Sequence, residues 1–229
     1  MSNSEVELRN VSFYFDKGKP ILQNLDLCVQ KGEIIGIMGK SGIGKSTILK
    51  LINGLIPKRI SGTKEGKVLI KGKDVENMTL AEISIIVGIV FQNPDDQIVF
   101  PVVEDELAFG LENLCYPKEE ILKRIRLILS DLGISHLRDK NPNNLSGGEK
   151  QLVNIGSILA MGVDILLLDE SLSFLDFEGK KRVKKALVEI KKANKTVIMV
   201  DHDYQNLDIA DRVYFLNNKR LFKENFYEE

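Results

Sequence analysis

Cysteine, histidine and net charge are all scarce in this chain of 229 residues, and each scarcity argues against a class of function. Cys28 and Cys115 lie far apart and lack the spacing of metal ligands, so we expect neither a disulfide framework nor a cysteine-based metal site. The 32 Lys and Arg residues balance 33 Asp and Glu residues, and the formal net charge of −1 offers no basic surface to DNA or RNA. The sequence therefore predicts no nucleic-acid partner.

Long hydrophobic runs are also missing. The most apolar stretches are residues 83–91 and 155–168, and Ser157 and Asp164 interrupt the second one. Neither approaches the roughly 18 uninterrupted apolar residues of a membrane-spanning helix. A role at a membrane would therefore require docking on another subunit. Internal repeats and Pro/Gly/Ser-rich linkers are missing too, so residues 1–229 are interpreted as one domain.

Short strand-like runs alternate with helical ones, which predicts an α/β fold with a mostly parallel sheet. Residues 6–15 and 21–29 alternate apolar and polar positions around a turn at residues 16–20, as in an antiparallel β-hairpin. Further strands are expected at residues 34–38, 68–70, 87–91, 165–169, 196–200 and 213–216.

Three helices are predicted from periodicity and from their end signals. The first should begin near Lys45 and stop before Gly54. The second lies between Pro117 and Gly133 and keeps apolar residues at a 3.6-residue period. The third covers residues 178–193 and combines one apolar face with a solvated basic remainder. The second helix belongs to a helical subdomain that we expect to be inserted at about residues 93–150.

A glycine-rich stretch follows the expected strand at residues 34–38 and precedes the first helix. It fits the pattern G-x-x-x-x-G-K-[ST], in which glycines let successive backbone N–H groups face phosphate oxygens. Lys45 is expected to reach the β- and γ-phosphates of ATP, Ser46 to ligate Mg²⁺, and Thr47 to donate to the α-phosphate. The candidate nucleotide-binding residues of this loop are Gly39, Lys40, Ser41, Gly42, Ile43, Gly44, Lys45, Ser46 and Thr47.

The apolar strand at residues 165–169 ends in two acidic residues, at the sheet edge where open α/β sheets bind their ligands. Asp169 is expected to hold Mg²⁺ through a water molecule, and Glu170 to polarise the attacking water as the general base. Two adjacent acids also end many ordinary strands. This interpretation therefore depends on the phosphate loop.

Two further polar residues follow expected strands. His202 comes after the strand at residues 196–200, from where it can hydrogen-bond the γ-phosphate or the attacking water. Gln92 follows the strand at residues 87–91, and its amide can touch both Mg²⁺ and the water. We interpret both as catalytic candidates, although a lone histidine is more often structural. The other histidine, His136, is interpreted as a surface or packing residue.

Residues 145–151 read Leu-Ser-Gly-Gly-Glu-Lys-Gln and resemble the LSGGQ signature of ATP-binding cassette (ABC) ATPases. A Ser-Gly-Gly turn that opens a helix offers a hydroxyl, bare amides and a helix dipole to an anion. Ser146, Gly147 and Gly148 are therefore further nucleotide-binding candidates. The resemblance covers nearly the whole chain. It implies the P-loop NTPase fold of ABC ATPases, with an N-terminal antiparallel β subdomain and an inserted helical subdomain.

The ABC resemblance also implies a dimer, formed with an identical or a related ATPase. In such dimers the signature of one subunit closes on the ATP held by the phosphate loop of the other. Asp176 matches the loop that crosses this interface, and Phe15 matches the aromatic residue that stacks on adenine. At the position of Phe15 the family usually has tyrosine, but stacking on adenine requires only the face of an aromatic ring. The neighbouring Tyr14 is the alternative.

A narrower resemblance lies in residues 91–98 and 103–110, which read FQNPDDQI and VEDELAFG. They are similar to the ATPase subunits of energy-coupling factor (ECF) transporters, which power uptake of vitamins and transition-metal ions. This resemblance implies a membrane-embedded coupling subunit as partner, contacted through a groove beside the glutamine. It also implies a peripheral location at the cytoplasmic face of the cell membrane.

The chain departs from the family pattern at two places. Ser171-Leu172 stands where Pro-Thr usually follows the catalytic glutamate, and Leu152 stands in place of an arginine. Two other functions remain open at this point. One is a soluble ABC ATPase of nucleic-acid repair or translation, although the chain lacks long coiled-coil insertions and tandem cassettes. The other is a catalytically weak partner cassette, although such cassettes usually lose the glutamate or histidine that this chain keeps at Glu170 and His202.

Overall fold

The computed structural model describes residues 4–15 and 18–223, and this part of the chain is organised around two β-sheets. The first sheet contains β1 (Ser4–Tyr14), β2 (Pro20–Gln30), β4 (Thr63–Ile70) and β5 (Lys73–Asp74). The second contains β3 (Ile34–Met38), β6 (Val87–Val90), β7 (Ile165–Asp169), β8 (Thr196–Asp201), β9 (Arg212–Asn217) and β10 (Arg220–Lys223).

Seven α-helices and several short 3₁₀ helices connect these strands within the described residues. The α-helices are α1 (Lys45–Ile52), α2 (Leu55–Lys58), α3 (Leu80–Ser84), α4 (Val103–Asn113), α5 (Lys118–Asp131), α6 (Gly147–Ala160) and α7 (Phe177–Lys192). The 3₁₀ helices are Val75–Asn77, Pro94–Asp96, Ser135–Leu137, Pro142–Asn144 and Tyr204–Leu207. No helix in these described ranges is long and apolar enough to cross a membrane.

The first sheet is antiparallel, with the strand order β2-β1-β4-β5. The predicted hairpin is confirmed, because β1 pairs with β2 from Val6 opposite Val29 to Tyr14 opposite Pro20. Residues 16 and 17 of the predicted turn lie outside the described part of the chain. Strand β4 begins at Thr63, five residues before the predicted start at residue 68. Its first half is polar, so pairing with β1 rather than an apolar pattern makes it a strand.

The second sheet has the order β10-β9-β3-β8-β7-β6, and only the edge strand β10 runs antiparallel to its neighbour. The predicted mostly parallel sheet is therefore confirmed. Strands β3 and β7 have the predicted bounds, because each is a short apolar run with clear end signals, which in β7 ends in Asp169. Because these strands are parallel, β3, β6, β7 and β8 end at one common edge, and the residues that follow them are brought together there.

The core lies on both faces of this sheet. Ile34, Leu166 and Leu168 point to one face, while Ile35 and Ile165 point to the other, as period-two alternation requires. All five side chains are at most 1% exposed. Both faces are covered, which is typical of parallel sheets and explains why the strands are continuous apolar runs.

Helices α4, α5 and α6 lie between β6 and β7, so the chain leaves the sheet after β6 and returns at β7. Helix α5 lies inside the predicted interval between Pro117 and Gly133. Helix α6 extends to Ala160, beyond the predicted end of the helical insert near residue 150. The subdomain boundary at about residues 93–150 stays a prediction.

Candidate nucleotide-binding and catalytic site

The phosphate loop joins β3 to α1 at the common edge of the sheet. Gly42 and Gly44 adopt φ of 75° and 114°, in the left-handed region where a side chain would be strained. No side chain caps α1, so the N–H groups of Lys45 and Ser46 remain for an anion, whereas the Thr47 N–H donates to Gly44 O at 3.1 Å. The sequence therefore builds an anion-binding helix terminus with glycines at the positions that require them.

Lys45 occupies the first turn of α1, and its side chain folds back over the loop. Its Nζ donates to the carbonyl oxygens of Gly39 at 2.7 Å and Lys40 at 3.1 Å. It also forms an ion pair with Glu170 Oε1 at 2.9 Å. The lysine is 3% exposed, so its charge is screened weakly by water and is held by these three partners.

Ser46 and Asp169 meet across the junction of α1 and β7. The Ser46 hydroxyl donates to Asp169 Oδ1 at 2.7 Å. Burial raises the pKa of Asp169, and the hydrogen bond from Ser46 only partly opposes this. A hydroxyl beside a carboxylate fits the oxygen ligands of Mg²⁺, which usually takes one or two protein ligands and completes its shell with phosphates and water. No cluster of three His, Cys, Asp or Glu residues suited to a metal occurs in the described ranges.

Glu170 is the residue on which the predicted catalytic groups converge. Its backbone has φ of 48°, and its N–H donates to Val200 O on the neighbouring strand at 2.9 Å. Its Oε2 lies 3.0 Å from His202 Nδ1 and 3.5 Å from Gln92 Nε2. Burial would raise the pKa of Glu170, but the hydrogen bonds and charges of Lys45 and His202 outweigh it, so the pKa is lowered. The structure thus brings together an ionised carboxylate and the groups predicted to act with it.

The signature residues make a different arrangement. Ser146 caps α6: its hydroxyl accepts from Glu149 N, while Glu149 Oε2 accepts from the backbone N–H of Ser146 at 2.9 Å. The hydrogen bond from the Ser146 hydroxyl lowers the pKa of Glu149. Among the described residues, no hydrogen bond or ion pair links Ser146, Gly147 or Gly148 to the phosphate loop.

The signature turn packs closely against the backbone of α7 and against the Leu175 side chain. A Cβ at Gly148 would lie 2.6 Å from the Cα of Gly179 in α7, and one at Gly147 would lie 3.3 Å from Leu175 Cδ2. Asp176 caps α7 by accepting from Gly179 N at 2.8 Å. The beginnings of α6 and α7 are therefore packed against each other as one unit.

A cavity beside the phosphate loop has a volume of about 850 Å³. It is lined by Met38, Gly39, Lys40, Ser41, Ile43, His202, Phe215, Leu216, Asn217 and Phe222. Phe15 is not part of this lining. Its ring lies edge-on to Phe13, with centroids 4.9 Å apart, and it is 51% exposed. Its role in adenine stacking stays a prediction.

Asp201 is a residue that the sequence interpretation missed. It is 2% exposed, and its Oδ1 accepts from the backbone N–H groups of His202 at 2.8 Å and Asp203 at 2.9 Å. Its Oδ2 accepts from Asn206 Nδ2 at 2.9 Å. Its position at the end of β8 could have suggested a role in the site, but the hydrogen bonds that its carboxylate accepts form only in the folded chain. His136, by contrast, is exposed, as predicted.

A strand, a glycine loop and a lysine-bearing helix beside an acid-terminated strand define a P-loop nucleoside triphosphatase. The chain belongs to the ABC transporter family, whose model matches residues 22–173. The signature at residues 145–148 lies within that match, and the predicted family is confirmed.

Relatives agree with the narrower resemblance. The energy-coupling factor transporter ATP-binding protein EcfA of Methanosarcina acetivorans is 40% identical over 220 residues, which cover 96% of this chain and 78% of that protein. The corresponding protein EcfA1 of Fusobacterium nucleatum is 42% identical over 217 residues, which cover 94% and 80%. The prediction of an ATPase of the ECF type is confirmed by this similarity.

A solved structure supports the same conclusion for the fold. The structure of cbiO1 from Clostridium perfringens, described as part of the ABC transporter complex cbiONQ, matches with a TM-score of 0.88 at 30% identity. The match covers 96% of this chain and 88% of cbiO1. The predicted ABC ATPase fold is confirmed, and the protein is an ATPase that binds ATP. The roles of its individual residues stay predictions.

Proposed function

We propose that the chain hydrolyses Mg²⁺-bound ATP and thereby powers an ECF-type importer. The observation that carries this proposal is the convergence of Lys45, His202 and Gln92 on Glu170. Phosphates would be held by the loop of residues 39–47, and Mg²⁺ by Ser46, Asp169 and Gln92. Glu170 would take a proton from the attacking water, with His202 and Gln92 orienting that water and the γ-phosphate.

The chain would act as one half of a head-to-tail pair with an identical or related ATPase. Lys45 and Ser46 of the phosphate loop have partners within the chain, whereas among the described residues no hydrogen bond or ion pair joins Ser146–Gly148 to that loop. In the pair, this turn would close on ATP held by the other subunit.

An exposed apolar surface supports docking on a membrane-embedded coupling subunit, which would place the chain at the cytoplasmic face of the membrane. Val99, which is 74% exposed, lies in the segment that follows Gln92, and Phe91, which is 41% exposed, directly precedes this glutamine. Phe109, which is 46% exposed, lies on α4 with its ring centroid 5.3 Å from that of Phe100. Apolar surface in one place is typical of a protein–protein contact. We expect Val99→Asp to prevent co-purification with membranes, whereas Leu127→Asp, at an equally apolar site on α5 that is 54% exposed, should not.

The central test is Glu170→Gln, which keeps the shape of the side chain and removes the base. We expect ATP binding to be retained and hydrolysis to fall by roughly 100-fold or more, since a positioned general base contributes about 10²–10⁴ in rate. Glu119→Gln, on the exposed side of α5, is the matched control and should hydrolyse ATP normally. Equal rates for the wild type and Glu170→Gln would show that Glu170 is not the base.

A further inference from the structure

The carboxylate of Asp201, at the end of β8, is the centre of a hydrogen-bonded turn that carries His202. Its Oδ1 accepts from the N–H groups of His202 at 2.8 Å and Asp203 at 2.9 Å, and its Oδ2 accepts from Asn206 Nδ2 at 2.9 Å. Ser173 Oγ approaches the same Oδ2 at 3.5 Å, which is the longest of these contacts. The two oxygens of one side chain therefore bind both ends of the turn.

The backbone around Asp201 is joined to the rest of the site. The carbonyl oxygen of Asp201 accepts at 3.3 Å from the N–H of Gly39, the first residue of the phosphate loop. One residue earlier, Val200 O accepts from the Glu170 N–H at 2.9 Å. Asp201 is thus attached to the phosphate loop through its main chain and to the turn that carries His202 through its side chain.

The ring of His202 depends on the backbone from which it projects, because its side chain is 51% exposed. Its Nδ1 lies 3.0 Å from Glu170 Oε2. The same nitrogen lies 3.6 Å from Asp201 Oδ1, which is too long for a hydrogen bond. Asp201 therefore acts on the backbone of His202 and not on its ring.

Burial makes the hydrogen bonds of Asp201 effective. Asp201 is 2% exposed and Asn206 is 1% exposed, so water competes little for the carboxylate. An apolar residue in place of Asp201 would leave two backbone N–H groups without their acceptor, and an unpaired buried donor costs more than the bond contributes. Among the described residues, the buried Asn206 Oδ1 has no hydrogen-bond partner, so this amide can turn over and accept a hydrogen bond instead of donating one.

We propose that Asp201 is a positioning residue that sets the place of His202 relative to Glu170 and the phosphate loop. This inference rests on the proposed function, in which His202 orients the attacking water and the γ-phosphate. The hydrogen bonds of Asp201 hold the turn, and the turn aims the ring. The phosphate loop contacts only the backbone carbonyl of Asp201, which every substitution keeps, so loss of the carboxylate should lower turnover and leave ATP binding intact.

The test measures kcat and KM for Mg²⁺-ATP in purified variants of the chain. In Asp201→Ala we expect kcat to fall by at least about tenfold, while KM stays within about twofold. Asp201→Asn keeps the shape, and the Asn206 amide can turn over to accept from it, so at least about half of kcat should remain. Equal losses of kcat in the two variants overturn the proposal.

Asp211→Ala is the matched control for stability. Asp211 also accepts from a backbone N–H, that of Ile34 at 2.8 Å, but at the opposite end of β3 from the phosphate loop. Its removal should lower the free energy of unfolding and leave kcat at the wild-type value. A fall in kcat equal to that of Asp201→Ala would mean that general destabilisation is the cause, and this overturns the proposal.

A double-mutant cycle shows whether Asp201 acts through His202. In a His202→Ala background, Asp201→Ala should lower kcat by no more than about twofold. Full additivity of the two losses overturns the inference and leaves the proposed function intact. A wild-type kcat in His202→Ala instead contradicts the role proposed for His202, and the inference fails with it.

The NMR signal of the His202 ring gives a readout that requires no hydrolysis. The chain has two histidines, so the exposed His136 supplies an internal reference. In Asp201→Ala and in Asn206→Leu we expect the His202 signal to broaden as the ring exchanges between orientations, while the His136 signal stays sharp. A sharp His202 signal in both variants overturns the proposal. If Asp201→Ala fails to fold, Asn206→Leu should lower kcat by about threefold, and an unchanged kcat there overturns the proposal as well.

Discussion

Two glycine-containing turns of this chain open helices, and they meet very different surroundings. The loop before α1 is surrounded by its own partners: Lys45 is bound to Glu170, and Ser46 is bound to Asp169. The turn before α6 is capped by its own Ser146 and Glu149 and packs against Gly179. The first turn is part of a site completed by other strands of the same sheet. The second is capped within its own helix and packed against α7, with Ser146 and Gly147 exposed and Gly148 buried.

The largest effect is expected from a substitution at the phosphate loop, the first of the two turns. Lys45→Met removes the buried ammonium, so both the phosphate contact and the partner of Glu170 are lost. We expect ATP affinity to fall by about 100-fold, the upper range for a hydrogen bond to a charged group. Binding of a fluorescent ATP analogue measures this. Lys50→Met, in the last turn of the same helix, should bind normally.

The second prediction tests whether the phosphate loop and the signature turn of one ATP site come from different subunits. Lys45→Met and Ser146→Arg should each be inactive alone, because each destroys one half of every site. When the two are mixed, a hybrid pair contains one site with both halves intact. Random pairing should restore about a quarter of the wild-type ATPase rate. If activity stays at the level of the single variants, the two halves do not come from different subunits.

Gly148→Ala tests the packing of the signature turn against α7. The new Cβ would lie 2.6 Å from the Gly179 Cα, so α6 and α7 must separate. We expect a loss of about 1–3 kcal/mol in the free energy of unfolding, as overpacked sites show. Gly156→Ala lies on the same helix and meets only side-chain atoms, the nearest being Leu132 Cδ1 at 3.2 Å. A comparable loss in that control would mean that the backbone approach is not the cause.

The smallest effect concerns pH. The pKa of Glu170 is lowered in the folded chain, so the ionised carboxylate stabilises the fold at pH values above the ordinary glutamate pKa. This stabilisation is lost as the pH falls through the pKa that Glu170 has in the folded chain. The pKa of Asp169 is raised, so its ionised form costs stability at neutral pH, and acid relieves that cost. Unfolding at pH 7 should therefore be easier in Glu170→Gln and harder in Asp169→Asn, as measured by chemical denaturation. Both differences should vanish in acid.

Local pattern was sufficient for much of the fold. Strands β3 and β7 were predicted with their observed bounds because a buried parallel strand is an uninterrupted apolar run. The beginning of β4 and the whole of β10 were missed. Thr63–Lys67 is polar and β10 is a short edge strand, so their pairing with β1 and β9 depends on the assembled sheet.

Part of the candidate site could likewise be predicted from the sequence, and part could not. Motif spacing placed Lys45, Asp169 and Glu170 at one edge of the sheet, because parallel strands end together. It could not reveal Asp201, because the carboxylate of Asp201 accepts hydrogen bonds from the His202 backbone N–H and the Asn206 side chain only in the folded chain. Nor could it reveal the contacts of Gln151 and Asn154, which join segments 60 residues apart in the chain.

The ammonium group of Lys45 has three N–H donors and, in this fold, three acceptors: Gly39 O, Lys40 O and Glu170 Oε1. The two carbonyls belong to the loop backbone, whereas the carboxylate is on a side chain that can turn away. With the roles proposed for Lys45 and Glu170, a phosphate oxygen that binds the lysine would compete with Glu170 for one of its donors. Loading of the site and release of the base would then be a single exchange, in which the carboxylate is restrained until the substrate replaces it.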